Sequence, residues 1–279
     1  MGKRALGEVL RKPTPNPSQR GGGLGVYRDY FERMNIALIG RGRVATHMGK
    51  ALLKAGHQLT SVNSRTLTEL PQHADIYIIA VKDSALQEVI EHLCSRLQTS
   101  APPFWEGMGV GCEDPLLVHT AGSMPLSVFD GYSGNGGVLY PMQTFSMDRE
   151  VDFKEIPLFI EGKDARIRQL AESISNHVYE LSTADRKYLH LAAVFACNFA
   201  NHCYTLAADV LEKKGLPFDV MLPLVDETAR KVHELHPKDA QTGPAVRGDQ
   251  NVMQAQAALL EEPTKEIYEL LSQSIQEHS

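Results

Sequence analysis

Residues 34–56, MNIALIGRGRVATHMGKALLKAG, combine an apolar run, a glycine turn and a helical pattern. The apolar run, Asn35–Ile39, is typical of a strand buried on both faces. The spacing G-x-G-x-x-A follows at Gly40, Gly42 and Ala45. Such a turn lets the backbone approach a pyrophosphate at a helix N-terminus, because glycine has no side chain. The stretch predicts a dinucleotide site; the alternative is a glycine turn that binds nothing. The predicted contacts are Gly40, Arg41, Gly42, Arg43 and Val44.

Length, charge and cysteine content limit the classes of protein to which the chain can belong. The 279 residues, 43% of them apolar, are enough for two domains with hydrophobic cores. The net charge of −6 argues against a nucleic-acid or acidic-membrane partner. Four cysteines without a CxxC pair favour a reducing compartment, and no apolar run is long enough to cross a membrane. We therefore expect a cytoplasmic protein.

Residues 1–33 differ in composition from the rest of the chain. Proline and glycine dominate residues 12–23, which predicts a disordered extension, and the apolar core of a signal peptide is missing. Because Met34 stands directly before the first strand, we expect natural translation to begin there. The alternative is a genuine flexible arm that a partner subunit orders.

The next strand, Gln58–Val62, ends in a turn that bears on cofactor choice. NAD-binding folds carry an acid here for the ribose hydroxyls. This chain instead has Asn63, Ser64 and Arg65, which can donate to a 2′-phosphate. The turn favours NADP over NAD; the alternative is an ordinary solvated turn.

Only nine residues, Thr66–Ala74, precede the third strand, Asp75–Val81. Because nine residues cannot hold a helix, a strand and their connections, one βα unit is predicted to be missing. After a loop at Gln98–Asp114, the strand Leu116–His119 ends in His119-Thr120-Ala121-Gly122-Ser123. Ligands of open α/β sheets lie beyond the carboxyl ends of strands. The predicted cofactor contacts at these ends are Ala80, Val81, Lys82, His119, Thr120 and Gly122, with Ser123 predicted to bind substrate. For His119 the alternative is a packed histidine with both nitrogens satisfied.

The rest of the chain divides at about residue 183. The predicted strands before it are Gly136–Tyr140, Pro157–Glu161 and Val178–Leu181, the last two as edge strands, with a helix at Asp164–Asn176. The predicted helices after it are Ala184–Lys213, Phe218–His233, Asp249–Leu260 and Pro263–Glu277. We expect an α/β protein: a Rossmann-like, mostly parallel sheet followed by an all-helical domain. The predicted ranges are 1–33 for the extension, 34–182 for the NAD(P)-binding domain and 183–279 for the helical domain.

Two polar groupings in the helical part suggest a substrate site. The long helix carries a polar stripe, which is either a pocket wall or a solvated face. Its members are Lys187, His190, Asn198, Asn201, His202 and Thr205. His190 and Asn198 fit a solvated face least, because their neighbours in 193–199 are expected to be buried. Zinc binding by His190, His202 and Cys203 is disfavoured, since His190 and His202 lie about 18 Å apart along a helix.

The second grouping is Thr242–Asp249, TGPAVRGD, predicted as a rigid turn before a helix. Arg247 beside a helix N-terminus suits a carboxylate or phosphate, and Asp249 is a natural N-cap. Arg247 and Asp249 are predicted substrate contacts. The alternative is that they only cap the helix and pair with each other.

From Met34 onward the chain resembles a bacterial family that joins a Rossmann-like NADP-binding domain to a helical domain of unknown function. The family is distantly related to pyrroline-5-carboxylate reductase and 6-phosphogluconate dehydrogenase. The resemblance rests on six segments: 40–45, 63–65, 119–123, 140–145, 190–199 and 242–249. It departs from the family at Tyr140-Pro141, where His-Pro is usual, and in the missing βα unit.

The resemblance implies an NAD(P)-dependent oxidoreductase that is dimeric through the helical domain. Some members are labelled as coenzyme F420-dependent, a less favoured cofactor here, as is NAD. With the residues above, it predicts oxidation or reduction of a small carbonyl or imine in a cleft between the domains. His190 would carry the proton, with Asn198 and Tyr140 positioning the substrate. The alternative is a non-catalytic NADP-binding module that senses redox state or scaffolds a partner.

Overall fold

A computed structural model describes residues 33–99, 115–131 and 135–278. Seven strands form one sheet in the order β2-β1-β3-β4-β5-β6-β7. The strands are β1 Asn35–Ile39, β2 Gln58–Val62, β3 Ile76–Ile79, β4 Leu116–His119, β5 Asn135–Pro141, β6 Leu158–Gly162 and β7 Val178–Glu180. The first five run parallel, β6 runs antiparallel to β5, and β7 runs parallel to β6. The predicted mostly parallel α/β sheet is confirmed.

Helices cover both faces of this sheet, which explains the continuous apolar runs of its strands. Ile36 and Leu38 pack with α1 (Arg43–Lys54) and α3 (Ala165–Ile174) on one face. The alternate residue Ile39 packs with α2 (Asp83–Thr99) on the other. Along each strand, successive side chains therefore enter different cores.

The connection from β2 to β3 is as short as its length predicts. The described residues 63–75 contain turns and no helix, and β1 lies between β2 and β3 in the sheet. The expected loss of a βα unit is therefore confirmed. The predicted loop at 98–114 lies largely outside the described residues, and so does the predicted extension apart from Arg33.

Two predictions about the later part of the chain need correction. The strand predicted at Pro157–Glu161 is not an edge strand, because β6 pairs with both β5 and β7. The predicted turn at 242–249 contains a helical turn, Pro244–Arg247, set between two positive-φ glycines, Gly243 and Gly248.

The chain divides into two compact units between Val194 and Phe195. The first unit holds the sheet and α4 (Thr183–Ala193). A π-helical segment, Val194–Phe199, spans the division. The helices of the second unit are α5 Ala200–Glu212, α6 Leu222–Glu234, α7 Pro237–Ala240, α8 Pro244–Arg247, α9 Gln250–Ala257 and α10 Thr264–His278.

Within the described residues, every helix is too short or too polar to cross a lipid bilayer.

Candidate active site

Gly40 forms the tight turn between β1 and α1. Its φ is +128°, and a Cβ atom there would lie 2.2 Å from the carbonyl oxygen of Ala80. Its N–H donates to the Val62 carbonyl oxygen at 3.0 Å. Gly40 therefore joins the ends of three neighbouring strands, and only glycine fits there.

Gly42 has a different role, because none of the described residues crowds it. Its backbone is extended, with φ −77° and ψ −179°, and a Cβ atom would meet no atom within 4 Å. As the N-cap residue of α1, it brings no side chain to the first N–H groups of the helix. Arg41 and Arg43 are exposed beside it. Open space, unblocked N–H groups and two cations fit the pyrophosphate of a dinucleotide.

The turn after β2 lies next to this opening, since Val62 pairs with Ile39 at the end of β1. The Asn63 side chain accepts a hydrogen bond from the Arg65 N–H at 3.0 Å, which folds the turn. The Arg65 side chain is exposed and Ser64 is half-buried. The turn thus places the Arg65 cation near the glycine turn. Residues 63–66 include no carboxylate.

The ends of β3 and β4 continue the same sheet edge, because Ile79 pairs with His119. The Thr120 N–H donates to the Ile79 carbonyl oxygen at 3.2 Å. Ala80 and Thr120 are buried, Val81 is half-buried and Lys82 is exposed. These residues line the carboxyl-end edge of the sheet beside the glycine turn, and a dinucleotide bound at that turn would lie along this edge.

His119 is fully buried and both of its ring nitrogens are used within the protein. The Ala121 N–H donates to Nδ1 at 3.2 Å, so Nε2 carries the proton and donates it to the Pro125 carbonyl oxygen at 3.3 Å. Burial, reinforced by the Arg186 charge, lowers the pKa of His119 to about 4. These contacts favour the alternative of a packed histidine over direct cofactor binding by its ring.

Tyr140, His190 and Gly122 meet although they lie far apart in sequence. The Tyr140 hydroxyl is 3.1 Å from Nδ1 of His190. A Cβ atom on Gly122 would lie 2.7 Å from that nitrogen and 2.9 Å from the Tyr140 ring, so a glycine is needed for this close approach. Tyr140 is buried near the end of β5 and His190 is half-buried on α4. Two side chains that are able to exchange a proton therefore lie against the segment that follows β4.

Ser123 and Asp83 form a second polar pair at this edge, in which the Ser123 hydroxyl donates to the Asp83 carboxylate. Asp83 opens α2 directly after β3.

Burial raises the pKa of Tyr140, the Arg186 charge opposes that rise and the Asp83 charge adds to it. The phenol is accordingly neutral at neutral pH.

The buried Arg186 and the half-buried Glu161 are partners that the sequence did not single out. Arg186 is 1% exposed and donates to the Glu161 carboxylate through Nη1 and to the Met124 carbonyl oxygen through Nη2 at 2.7 Å. Burial alone would raise the pKa of Glu161, but hydrogen bonds from Arg186 and Thr183 outweigh it and lower that pKa. The sequence contained one indication that Arg186 belongs to this site: it lies four residues, about one helical turn, before His190.

Four residues of the predicted polar stripe belong to the second unit. Asn198 lies in the π-helical segment and is exposed, and the other stripe residues of this unit, Asn201, His202 and Thr205, are exposed too. Their expected buried neighbours Phe195 and Phe199 are 63% and 50% exposed, so that expectation is wrong for a single chain.

Arg247 and Asp249 pair with each other on the second unit. Arg247 Nε donates to Asp249 Oδ2 at 3.1 Å, and Asp249, although at the N-cap of α9, makes no side-chain cap bond among the described residues. The predicted capping role is therefore wrong, and pairing was the alternative reading. In the described part of the chain, no cluster of three metal-ligating side chains occurs.

Comparison with solved structures identifies the family. A candidate NADP oxidoreductase from Bacteroides fragilis, BF3122, is 44% identical to this chain with a TM-score of 0.77. The match covers 88% of this chain and 98% of that protein. The chain belongs to this family. The resemblance drawn from the sequence is thus confirmed, and residues 156–275 match the family model described as a domain of unknown function, DUF2520.

More distant structures share the fold. Protein TM1727 from Thermotoga maritima is 20% identical with a TM-score of 0.61, over 87% of this chain and 97% of that one. An imine reductase from Myxococcus stipitatus in complex with NADP+ is 16% identical with a TM-score of 0.58, over 87% and 92%. No curated protein sequence matches the chain.

Proposed function

We propose that this protein is an NADP-dependent oxidoreductase that transfers a hydride to a small carbonyl or imine, or in the reverse direction from the corresponding alcohol or amine. The observation that carries the proposal is the contact of His190 with Tyr140 and Gly122 near the carboxyl ends of β4 and β5. Those ends share one sheet edge with the Gly40–Gly42 turn, because β1, β3, β4 and β5 are parallel. A family member named for NADP supports the cofactor class.

The cofactor would lie across this edge. The α1 N-terminus, with Arg41 and Arg43, would bind the pyrophosphate, and Arg65 with Ser64 would bind the 2′-phosphate. Bound NADP supplies or accepts the hydride. No described atom lies within 4 Å of the position that a Cβ atom on Gly42 would take, which leaves space for phosphate oxygens there.

The protein's own residues would manage the proton that accompanies the hydride. If the neutral Tyr140 phenol donates to Nδ1 of His190, the imidazole proton is held at Nε2. When that proton passes to a substrate oxygen or nitrogen, Nδ1 takes the phenol proton, and the Tyr140 phenolate is then reprotonated by solvent. If the bond runs the other way, the phenol proton is the one available. Either way one proton reaches the heteroatom as the hydride reaches the carbon. Ser123, Asn198, Arg247 and Asp249 remain proposed substrate contacts.

Turnover tests this proposal. NADPH oxidation, followed at 340 nm with a panel of cyclic imines and small ketones, should occur in wild type. His190→Ala should lower kcat by about 10²–10⁴-fold while NADPH affinity stays within a few-fold. His92→Ala, an exposed histidine on α2, is the matched control and should retain activity. Tight NADPH binding without turnover of any substrate would instead favour the non-catalytic module.

We also propose that the protein is a homodimer joined through its helical unit. In the described part of that unit, buried apolar residues are limited to Ala245, Met253 and Ala257. Large apolar side chains are exposed on most of its helices, and extensive exposed apolar surface is a mark of an interaction site. Because the exposed apolar side chains are spread over the whole unit, a partner that covers them must be of similar size. A second copy of the same unit has that size.

A further inference from the structure

Arg186 is a charged side chain with almost no access to solvent. It is 1% exposed and lies on the first turn of α4. Among the described residues its Nε finds no hydrogen-bond partner. Burying an ion pair costs desolvation that its attraction often does not recover, so stability alone explains such a residue poorly.

The partners of Arg186 come from three separate elements. Its guanidinium donates to Glu161 on β6, to the Met124 carbonyl oxygen after β4, and to the Thr183 hydroxyl at 3.2 Å. Thr183 also donates to Glu161, from its N–H at 2.8 Å and from its hydroxyl at 2.7 Å. Arg186 thus ties the start of α4 to β6 and to the segment between β4 and β5.

Each of these elements carries a member of the proposed proton-carrying site or, in the case of β6, pairs with the strand that carries one. His190 follows Arg186 by four residues, one turn along the same face of α4. Gly122, which touches His190, lies two residues before Met124. Val138, the cross-strand partner of Glu161, lies two residues before Tyr140, so Tyr140 and Glu161 share one face of the sheet.

We propose that Arg186 is a positioning residue whose ties to Glu161 and Met124 hold His190 against Tyr140 and Gly122. This rests on the proposed function, because it gives those two side chains the proton step. The guanidinium also acts through its charge: it opposes the rise that burial causes in the pKa of Tyr140. Geometry and charge therefore act on the same pair of side chains.

The test variant is the double substitution Arg186→Met with Glu161→Gln. It removes both charges together, which avoids an uncompensated buried ion, and the amide keeps an acceptor oxygen for Thr183. The matched control is Arg168→Met with Glu180→Gln, which breaks a more exposed pair that also joins a helix to a strand. Should the double variant not fold, Arg186→Lys serves instead, because one ammonium replaces the two-pronged contact with Glu161 and Met124.

The first readout needs neither cofactor nor turnover. In ¹⁵N-histidine NMR spectra, the signals of His190 are assigned by their loss in His190→Ala. We expect wild type and the control to show one dominant tautomer of His190. The reference variant Tyr140→Phe lacks the hydroxyl that fixes this tautomer and should show an average of both tautomers. The test variant should show the same average. Unchanged His190 signals in a folded test variant would overturn the proposal.

The second readout is kinetic, with 2-methyl-1-pyrroline as the imine. The test variant should lose about 10- to 100-fold in kcat, with KM and the Kd of NADPH within about two-fold of wild type. Added to His190→Ala, the same substitutions should change kcat less than about two-fold, because the effect passes through His190. Additive losses would contradict positioning. Absence of wild-type turnover would count against the proposed function, whereas the NMR result still decides the role of Arg186.

Discussion

At the scale of single residues, His119 is a histidine that the fold keeps neutral. Its two nitrogens are occupied by Ala121 and Pro125, and it stacks on Phe129 with ring centroids 5.6 Å apart. Because its folded-state pKa is about 4 against 6.5 for the free side chain, the unfolded chain binds a proton between these values and the folded chain does not. Acidification from pH 6.5 towards pH 4 therefore costs stability.

This gives a prediction about pH. The free energy of unfolding should fall by about 2–3 kcal/mol between pH 7 and pH 4.5 through His119 alone. Urea denaturation at both pH values measures the fall. His119→Gln should reduce it by that amount, whatever its effect on absolute stability, and the exposed His92→Gln is the matched control. An equal fall in His119→Gln would show that His119 does not resist protonation.

Arg65 carries a prediction about cofactor choice. It is the exposed cation of a turn without an acid, so Arg65→Asp should weaken NADPH by about 10- to 150-fold, the worth of one charge-assisted phosphate contact of about 1.5–3 kcal/mol. Binding of NADH should change little, because it lacks the 2′-phosphate. Fluorescence titration measures both constants. A wild type that already prefers NADH would contradict the interpretation of this turn.

Sequence reasoning found some single residues of the site and missed others for a physical reason. Tyr140 and His190 were predictable because polar groups at strand ends or on apolar helices require partners. Arg186 and Glu161 were not, since each is of a type usually found on the surface. Only their pairing across 25 positions makes burial possible, and sequence spacing does not encode that pairing.

At the scale of elements, the β1–α1 turn contains two glycines with different roles, one required by the fold and one by the proposed ligand. Gly40 has φ +128° and its Cβ would clash with backbone, whereas Gly42 is extended and uncrowded. The same motif thus contains one position that the fold requires and one that the fold does not.

Two substitutions should separate these roles. Gly40→Ala should cost on the order of 3 kcal/mol or more in stability, because strain and a backbone clash add. Gly42→Val should change stability by less than about 1 kcal/mol yet weaken NADPH about 100-fold or more, since the side chain fills the space for the pyrophosphate. Thermal denaturation and calorimetric titration measure these effects. A folded Gly42→Val protein with unchanged NADPH affinity would exclude the site.

Element types were predictable where length or periodicity constrains the chain. The nine residues before β3 were too few for a βα unit, so its loss could be counted directly. The position of β6 inside the sheet could not, because it depends on which strand β7 pairs with. The single turn Pro244–Arg247 is shorter than the period that would reveal a helix.

At the scale of the whole molecule, the apolar surface of the helical unit differs from that of the sheet-containing unit. The central strands β1, β3 and β4 are buried on both faces, whereas Phe195, Val220, Leu224 and Leu259 are 50% or more exposed. The sequence predicted burial at 193–199 from apolar composition alone. Composition does not say whether the chain itself or a second copy provides that burial.

The last prediction concerns oligomeric state. Light scattering after gel filtration should give about twice the chain mass of 30.8 kDa, and Tm should rise with protein concentration, since dissociation accompanies unfolding.

The exposed aromatic pair Phe195 and Phe199, with ring centroids 5.0 Å apart, is a suitable place to break the dimer. Phe195→Glu with Phe199→Glu should place four charges, two from each copy, in the proposed contact and shift the protein towards monomer with a lower Tm, because unpaired charges resist desolvation. Leu53→Glu is the matched control: Leu53 is 57% exposed on α1 of the other unit, and its substitution should leave the dimer intact. If wild type were a monomer of 30.8 kDa at micromolar concentration, with a Tm independent of concentration, the exposed helical surface would not be a dimer contact.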